Sequence, residues 1–247
     1  MRIAVIADVH GNLRALEAVR ADLAKRSADL VVNLGDNVSG PLQASATADL
    51  LMNESYVSIR GNHDRQLIDR PPADMGPSDR AAHGQLNSRQ LTWLANLPPT
   101  QMLEDAVLLC HGSPANDLQY LLEEVEADRV RLASPDVIRD RLGAAHAALI
   151  LCGHTHIPRI VSLSGGVWIV NPGSVGLQAY SDDAPVHYVE TGGPHARYAM
   201  IDWERRTPRV DFIAVEYDWE SAAQEAAQGN RPDWACALAT GYALRAS

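Results

Sequence analysis

Five stretches of this chain follow an apolar run with side chains that can hold a metal ion or move a proton. They are Asp8-Val9-His10, Gly35-Asp36-Asn37, Gly61-Asn62-His63-Asp64, His111-Gly112 and Gly153-His154-Thr155-His156. Taken alone, His154 and His156 read as polar residues at a strand end, although side chains two apart on an extended backbone point the same way. In company they become candidate ligands: Asp8, His10, Asp36, Asn62, His111, His154 and His156 supply two carboxylates, one amide and four imidazoles. That set suits Mn²⁺, Fe or Zn²⁺, with Co²⁺ or Ni²⁺ as further options. It suits neither a cysteine-type structural zinc nor an all-oxygen calcium site. Seven groups overfill one ion. Two divalent ions, about 3.5–4 Å apart and sharing a carboxylate, would use them all and leave room for water. Asp36, alone at its strand end, is the expected shared ligand.

Such residues converge only if the strands carrying them end together. The runs "IAVIA" (3–7), "LVVNL" (30–34), "YVSI" (56–59), "AVLLC" (106–110), "AALILC" (147–152) and "VWIV" (167–170) are short and nearly unbroken, as expected of strands covered on both faces. "RYAMID" (197–202) and "VDFIAVEY" (210–217) predict two more. Between the first two runs, Leu13, Leu16, Val19 and Leu23 keep a helical period, with Asn12 placed as the cap. A second helix is expected near Gln43–Met52. Strand, helix, strand, helix, strand is the mark of a layered α/β fold, in which ligands bind beyond the carboxyl ends of the strands.

Segment 69–79 reads as a loop from its prolines and glycine. "SRQLTWLANLPP" (88–99) and "SPDVIRDRLGA" (134–144) read as short helices, the latter capped by Ser134 with Pro135 in its first turn. We read one domain over 1–247, with 65–105 and 115–145 as excursions near the site and helices within 216–247 packing on the outside. The polar stretch 181–200 is read as a long loop, a hairpin beside the cleft, or a homodimer contact.

The hydrophobic content of 46% is enough for a sizeable core. There is no apolar run of membrane-spanning length, and the first residues read as a strand rather than a signal peptide. Cys110, Cys152 and Cys236 form no paired motif and are expected to be reduced, in a cytoplasmic protein. A formal charge of −10 argues against a broad nucleic-acid surface. It leaves phosphate substrates open, because bound cations reverse the local field.

In this order, "DVHGN" (8–12), "GDN" (35–37), "GNHD" (61–64), "HG" (111–112) and "GHTH" (153–156) resemble the calcineurin-like metallophosphoesterase superfamily. "NPGSVG" (171–176) is similar to its smaller bacterial phosphodiesterases. The resemblance implies an α/β/β/α sandwich, two mixed β-sheets flanked by helices, with the metals at the C-terminal strand ends. It implies one ion held by Asp8, His10, Asp36 and His156, and a second by Asp36, Asn62, His111 and His154.

The activity implied is hydrolysis of a phosphate ester, most simply a small or nucleotide-like phosphodiester, by a hydroxide bridging the two ions. His63 would face the leaving group as proton donor, held by Asp64; the plainer reading is that both cap a turn. Asn12, Asn171 and Arg159 are candidates for binding substrate or bracing the ligands, against plainer roles as helix cap, loop former and solvated cation. Phosphomonoesters, dinucleoside polyphosphates and phosphoproteins are alternative substrates. A non-catalytic scaffold is the alternative of another class, because a retromer subunit with this fold serves as an interaction platform.

Overall fold

The computed structural model describes residues 1–104, 106–204 and 206–245. Its elements run β1 (Arg2–Ile6), α1 (Leu13–Leu23), β2 (Leu30–Asn33), α2 (Ala44–Asn53), β3 (Val57–Ser58) and α3 (Asn62–Asp69). After a 3₁₀ turn at Pro72–Asp74 come α4 (Pro77–His83), α5 (Ser88–Asn96), β4 (Thr100–Leu103), β5 (Val107–Cys110), β6 (Glu123–Glu126), β7 (Arg129–Leu132) and α6 (Pro135–Leu142). The remainder is β8 (Leu149–Leu151), β9 (Arg159–Leu163), β10 (Val167–Asn171), β11 (Ala179–Asp183), β12 (Val186–Glu190), β13 (Ala196–Asp202), β14 (Arg209–Val215), α7 (Trp219–Gln228) and α8 (Pro232–Thr240).

Period-two alternation sorts the strand residues into layers. One sheet has the order β14-β13-β1-β2-β3 and a second β4-β5-β8-β10-β9. Ile3 and Val5 of β1 meet Leu109 of β5 and Leu151 of β8 in a core between the sheets. Ala4 and Ile6 face the other way onto Leu16 and Val19 of α1. Leu108 and Cys110 face outward onto Ile138 and Leu142 of α6. The result is helix, sheet, sheet, helix.

The strands that carry the candidate ligands are parallel neighbours: β1 with β2, β2 with β3, β5 with β8 and β8 with β10. Leu109, Leu151 and Val170 lie in one register row. The next residues of all three strands therefore emerge at one rim.

The structure adds to the expected two sheets a third, with the order β11-β12-β7-β6. Its strands carry few apolar residues, such as Glu-Glu-Val-Glu in β6 and Arg-Val-Arg-Leu in β7, and much of their surface is exposed. No buried run announced them. Segment 181–200 forms part of this sheet: β11 and β12 pair as a hairpin, and β12 joins β7 at Tyr188 and Arg129. Segment 69–79, read as a loop, holds the 3₁₀ turn and the start of α4. Cys110, Cys152 and Cys236 are free. No helix among the described residues is long and apolar enough to cross a membrane.

Candidate metal centre

The loops after β1, β2, β5 and β8 are laced together by backbone bonds: Asp8 N–H to Gly35 O (3.0 Å), His10 N–H to Asp36 O (2.9 Å) and Gly153 N–H to His111 O (2.8 Å). Asp8, His10, Asp36, His154 and His156 all have positive φ, between 52° and 70°. Non-glycine residues adopt this left-handed backbone at a cost, and such residues cluster at functional sites. Here the turn swings successive side chains off the strand ends into one space. Gly61, in the loop after β3, permits that loop to cross close to the loop after β2, since a Cβ there would lie 2.2 Å from Asp36 Oδ1.

Two groups of potential ligand atoms result. Asp8, His10 and His156 form one, and Asp36, His111 and His154 the other, each with its atoms within 4.8 Å of one another. Asn62 Oδ1 adjoins the second group, 3.0 Å from His111 Nε2. Asp36 Oδ2 reaches both groups, at 3.2 Å from His111 Nε2 and 3.9 Å from His10 Nε2. Asp8 Oδ1 does so too, at 3.5 Å from His156 Nε2 and 3.9 Å from His111 Nε2. All seven sequence-proposed ligands thus meet at one floor, each of them buried except the half-buried His154.

Backbone carbonyls set which nitrogen of each ring is offered. His10, His111 and His156 donate from Nδ1 to Ser39 O, Leu34 O and Leu177 O, each at 2.8 Å, so Nε2 is the nitrogen turned into the floor and offered to an ion. His154 is reversed: Nε2 donates to Leu118 O at 3.2 Å, which leaves Nδ1 as its ligand atom. Such carbonyl-backed imidazoles and ionised carboxylates are the donor chemistry of a divalent transition metal. Burial and the neighbouring His156 hold His10 down at about 4, and burial and His111 hold His154 at about 4. Burial pushes Asp36 up, but His111, His63 and His10 outweigh it and leave the carboxyl well below the usual range. The same carboxylate, with Asp8, raises His111 to about 10 against the effect of burial.

The floor opens into a cleft of about 520 Å³, which His63 also lines. His63 stands in the first turn of α3, and its N–H donates to Asp36 Oδ1 at 2.9 Å. The carboxylate holding its ring is not Asp64. His63 Nδ1 donates to Asp79 Oδ1 at 2.7 Å, and Asp79 also accepts from Ser39 Oγ at 2.6 Å. Burial opposes a charged imidazole here, yet Asp36 and Asp79 raise His63 to about 9. Asp64 instead accepts from the N–H groups of Gly61 and Asn37 and from Asn37 Nδ2, which ties the second and third loops together. Burial and the Asp36 charge raise it to about 7.

The three remaining candidates stand outside the cleft lining. Asn12 caps α1 through Ala15 N–H and donates to Gly176 O, so it fixes the loop beside Asp8. Asn171 donates to Gly153 O and Thr155 Oγ1, bracing the loop that carries His154 and His156. Arg159 is paired with buried Glu123 at 2.8 Å.

Sequence reasoning missed Asp79, and also the wall residues Tyr120, Tyr180, Arg231 and Trp234. Tyr120 Oη bonds Tyr180 Oη and His187 Nε2, each at 2.9 Å, and Tyr180 Oη donates to His154 O at 3.4 Å. None of these carries a spacing signal. The sole hint was Pro77 opening a helix that contains Asp79.

The calcineurin-like phosphoesterase superfamily domain model matches residues 1–192, the span that holds every candidate ligand. The chain belongs to this superfamily. It is similar to a metallophosphoesterase from Sphaerobacter thermophilus, with 28% identity, 98% of this chain and 99% of that chain covered, and a TM-score of 0.75. A hypothetical protein from Pyrococcus horikoshii OT3 shares the fold at 18% identity and a TM-score of 0.74, covering 97% of this chain and 98% of that one. An uncharacterized protein of Methanocaldococcus jannaschii is 25% identical over 256 residues, 94% of each chain. The matched span and the two ligand groups together make this floor the candidate metal centre of a member of that superfamily.

Proposed function

We propose that this metallophosphoesterase is a dinuclear enzyme, most simply a phosphodiesterase acting in the cytoplasm on a small or nucleotide-like phosphate ester. The whole chain, 1–247, is read as one such domain, with Mn²⁺ as the favoured ion. The observation that carries this reading is the placement of Asp36: one oxygen reaches both ligand groups while the other accepts the N–H of His63.

Asp8, His10, Asp36 and His156 would hold one ion, and Asp36, Asn62, His111 and His154 the other. Divalent ions there would neutralise phosphoryl oxygens and make water a nucleophile near neutral pH. His63, fixed through Nδ1 by Asp79, has Nε2 left for the cleft. As the P–O bond breaks, its electron pair stays on the leaving oxygen, and His63 supplies the proton from Nε2. Asp79 fixes the ring and favours its protonated form, and Asp64 keeps the two loops beneath it in register.

The test is release of p-nitrophenol from bis-p-nitrophenyl phosphate by chelator-stripped protein, with and without Mn²⁺, beside the His63→Ala variant. Mn²⁺-dependent release that falls about 10²–10⁴-fold in the variant is expected. Metal content should be unchanged. Faster release from p-nitrophenyl phosphate would make the enzyme a monoesterase. Two bound ions with no release from either compound would overturn the reading in favour of a binding platform.

A further inference from the structure

Residues beyond 192, outside the stretch matched by the superfamily model, reach into the cleft from the start of α8. Trp234 is buried, its ring 5.9 Å from that of His10 in a T-shaped contact. It closes on Gly40, where a Cβ would lie 2.7 Å from the indole. On the same indole, at 5.6 Å, lies the guanidinium of Arg231. One side chain therefore links the candidate metal floor to a fixed cation.

Arg231 is the sole arginine or lysine among the described residues lining the cleft, in a chain with a formal charge of −10. Its fork is held in place: Nε and Nη2 donate to Asp233 at 3.0 and 2.6 Å, and Nη1 donates to Ser78 Oγ at 2.9 Å. A guanidinium has five N–H donors. These three bonds leave one N–H on each Nη, donors of the kind that charge-assisted bonds to phosphate oxygens use. Ser78 directly precedes Asp79, the residue that holds His63, so the tether ties the fork to the helix that serves the leaving-group proton donor.

We propose that Arg231 forms an anion subsite for a second phosphate carried by the leaving group, so that the substrate class is a phosphate ester or anhydride whose leaving group is itself phosphorylated. The subsite rests on the two-ion reading of the floor. A cleft of about 520 Å³ can accept a ligand of nucleotide size. With Asp233 balancing its charge, Arg231 gives selectivity for a second phosphate more than bulk attraction of anions.

The test uses Mn²⁺-loaded full-length protein and calorimetric binding of probes whose P–C bonds resist hydrolysis: methylphosphonate, and alkane bisphosphonates with one, three or five methylenes. At least one bisphosphonate should bind more tightly than methylphosphonate. In Arg231→Gln that probe should weaken about 10- to 100-fold, as for loss of a charge-assisted bond. Methylphosphonate should weaken far less. Equal weakening of all probes would overturn the subsite. Asp233→Asn leaves the cation and removes its counter-charge, so bisphosphonate binding should tighten several-fold; unchanged or weaker binding would also overturn it. This second variant decides the matter if Arg231→Gln does not fold. Selective weakening in a protein that releases nothing from bis-p-nitrophenyl phosphate would keep the subsite and sink the phosphodiesterase reading.

Discussion

The imidazoles on the floor of the cleft are aimed by backbone carbonyls, whereas the side chains of its walls are held by other side chains. On the floor, four imidazoles are aimed by carbonyls of Ser39, Leu34, Leu177 and Leu118, and the loops that carry them are laced by backbone hydrogen bonds. In the walls, His63 leans on Asp79, Tyr120 on Tyr180 and His187, and Arg231 on Asp233 and Ser78. A carbonyl cannot be removed by substituting its side chain. The aim of the four imidazoles is therefore insulated from side-chain changes at those four carbonyl positions, while one wall substitution can redirect what the cleft accepts.

Three substitutions would break or sharpen this contrast. Asp36→Asn has the largest expected effect. It should deplete both ions and lower activity by more than the roughly 10- to 100-fold typical when only a partner of a ligand is lost. Metal analysis checks this, and loss of only one ion would show that Asp8 alone can span both groups. Asp79→Asn should lower kcat by about 10-fold or more, yet by less than removing the His63 imidazole itself. Both ions should remain bound, so an accompanying loss of metal would place Asp79 with the floor. Tyr180→Phe is the smallest. Losing its hydroxyl bonds should cost about 0.5–1.5 kcal/mol in a thermal melt, with metal content unaltered and kcat/KM shifted only a few-fold. A lost ion would mean that this wall helps to aim His154.

The same contrast explains what could be read in advance. Asp8, His10, Asp36, Asn62, His111, His154 and His156 stand just past buried strands, and apolar runs announce such strands, so the convergence of all seven on one floor followed from local pattern. The third sheet did not, because β6 and β7 are polar and pair through the distant hairpin β11–β12. Asp79 lies 16 residues from the histidine it holds, in a segment that reads as a loop. Asp64 was the nearer carboxylate in sequence, but the first turn of α3 points it back at Gly61 and Asn37. Arg231 and Trp234 were hidden for a related reason: α8 packs on the outside along most of its length, and only its start reaches the cleft.

The left-handed backbone at Asp8, His10, Asp36, His154 and His156 sets stability against ligation at these five positions. Each such turn costs a non-glycine residue about 1 kcal/mol or more. Glycine would relieve that backbone cost and remove the donor atom in the same change. The strain is therefore inseparable from the ligand set, and the packing of the surrounding loops has to carry it.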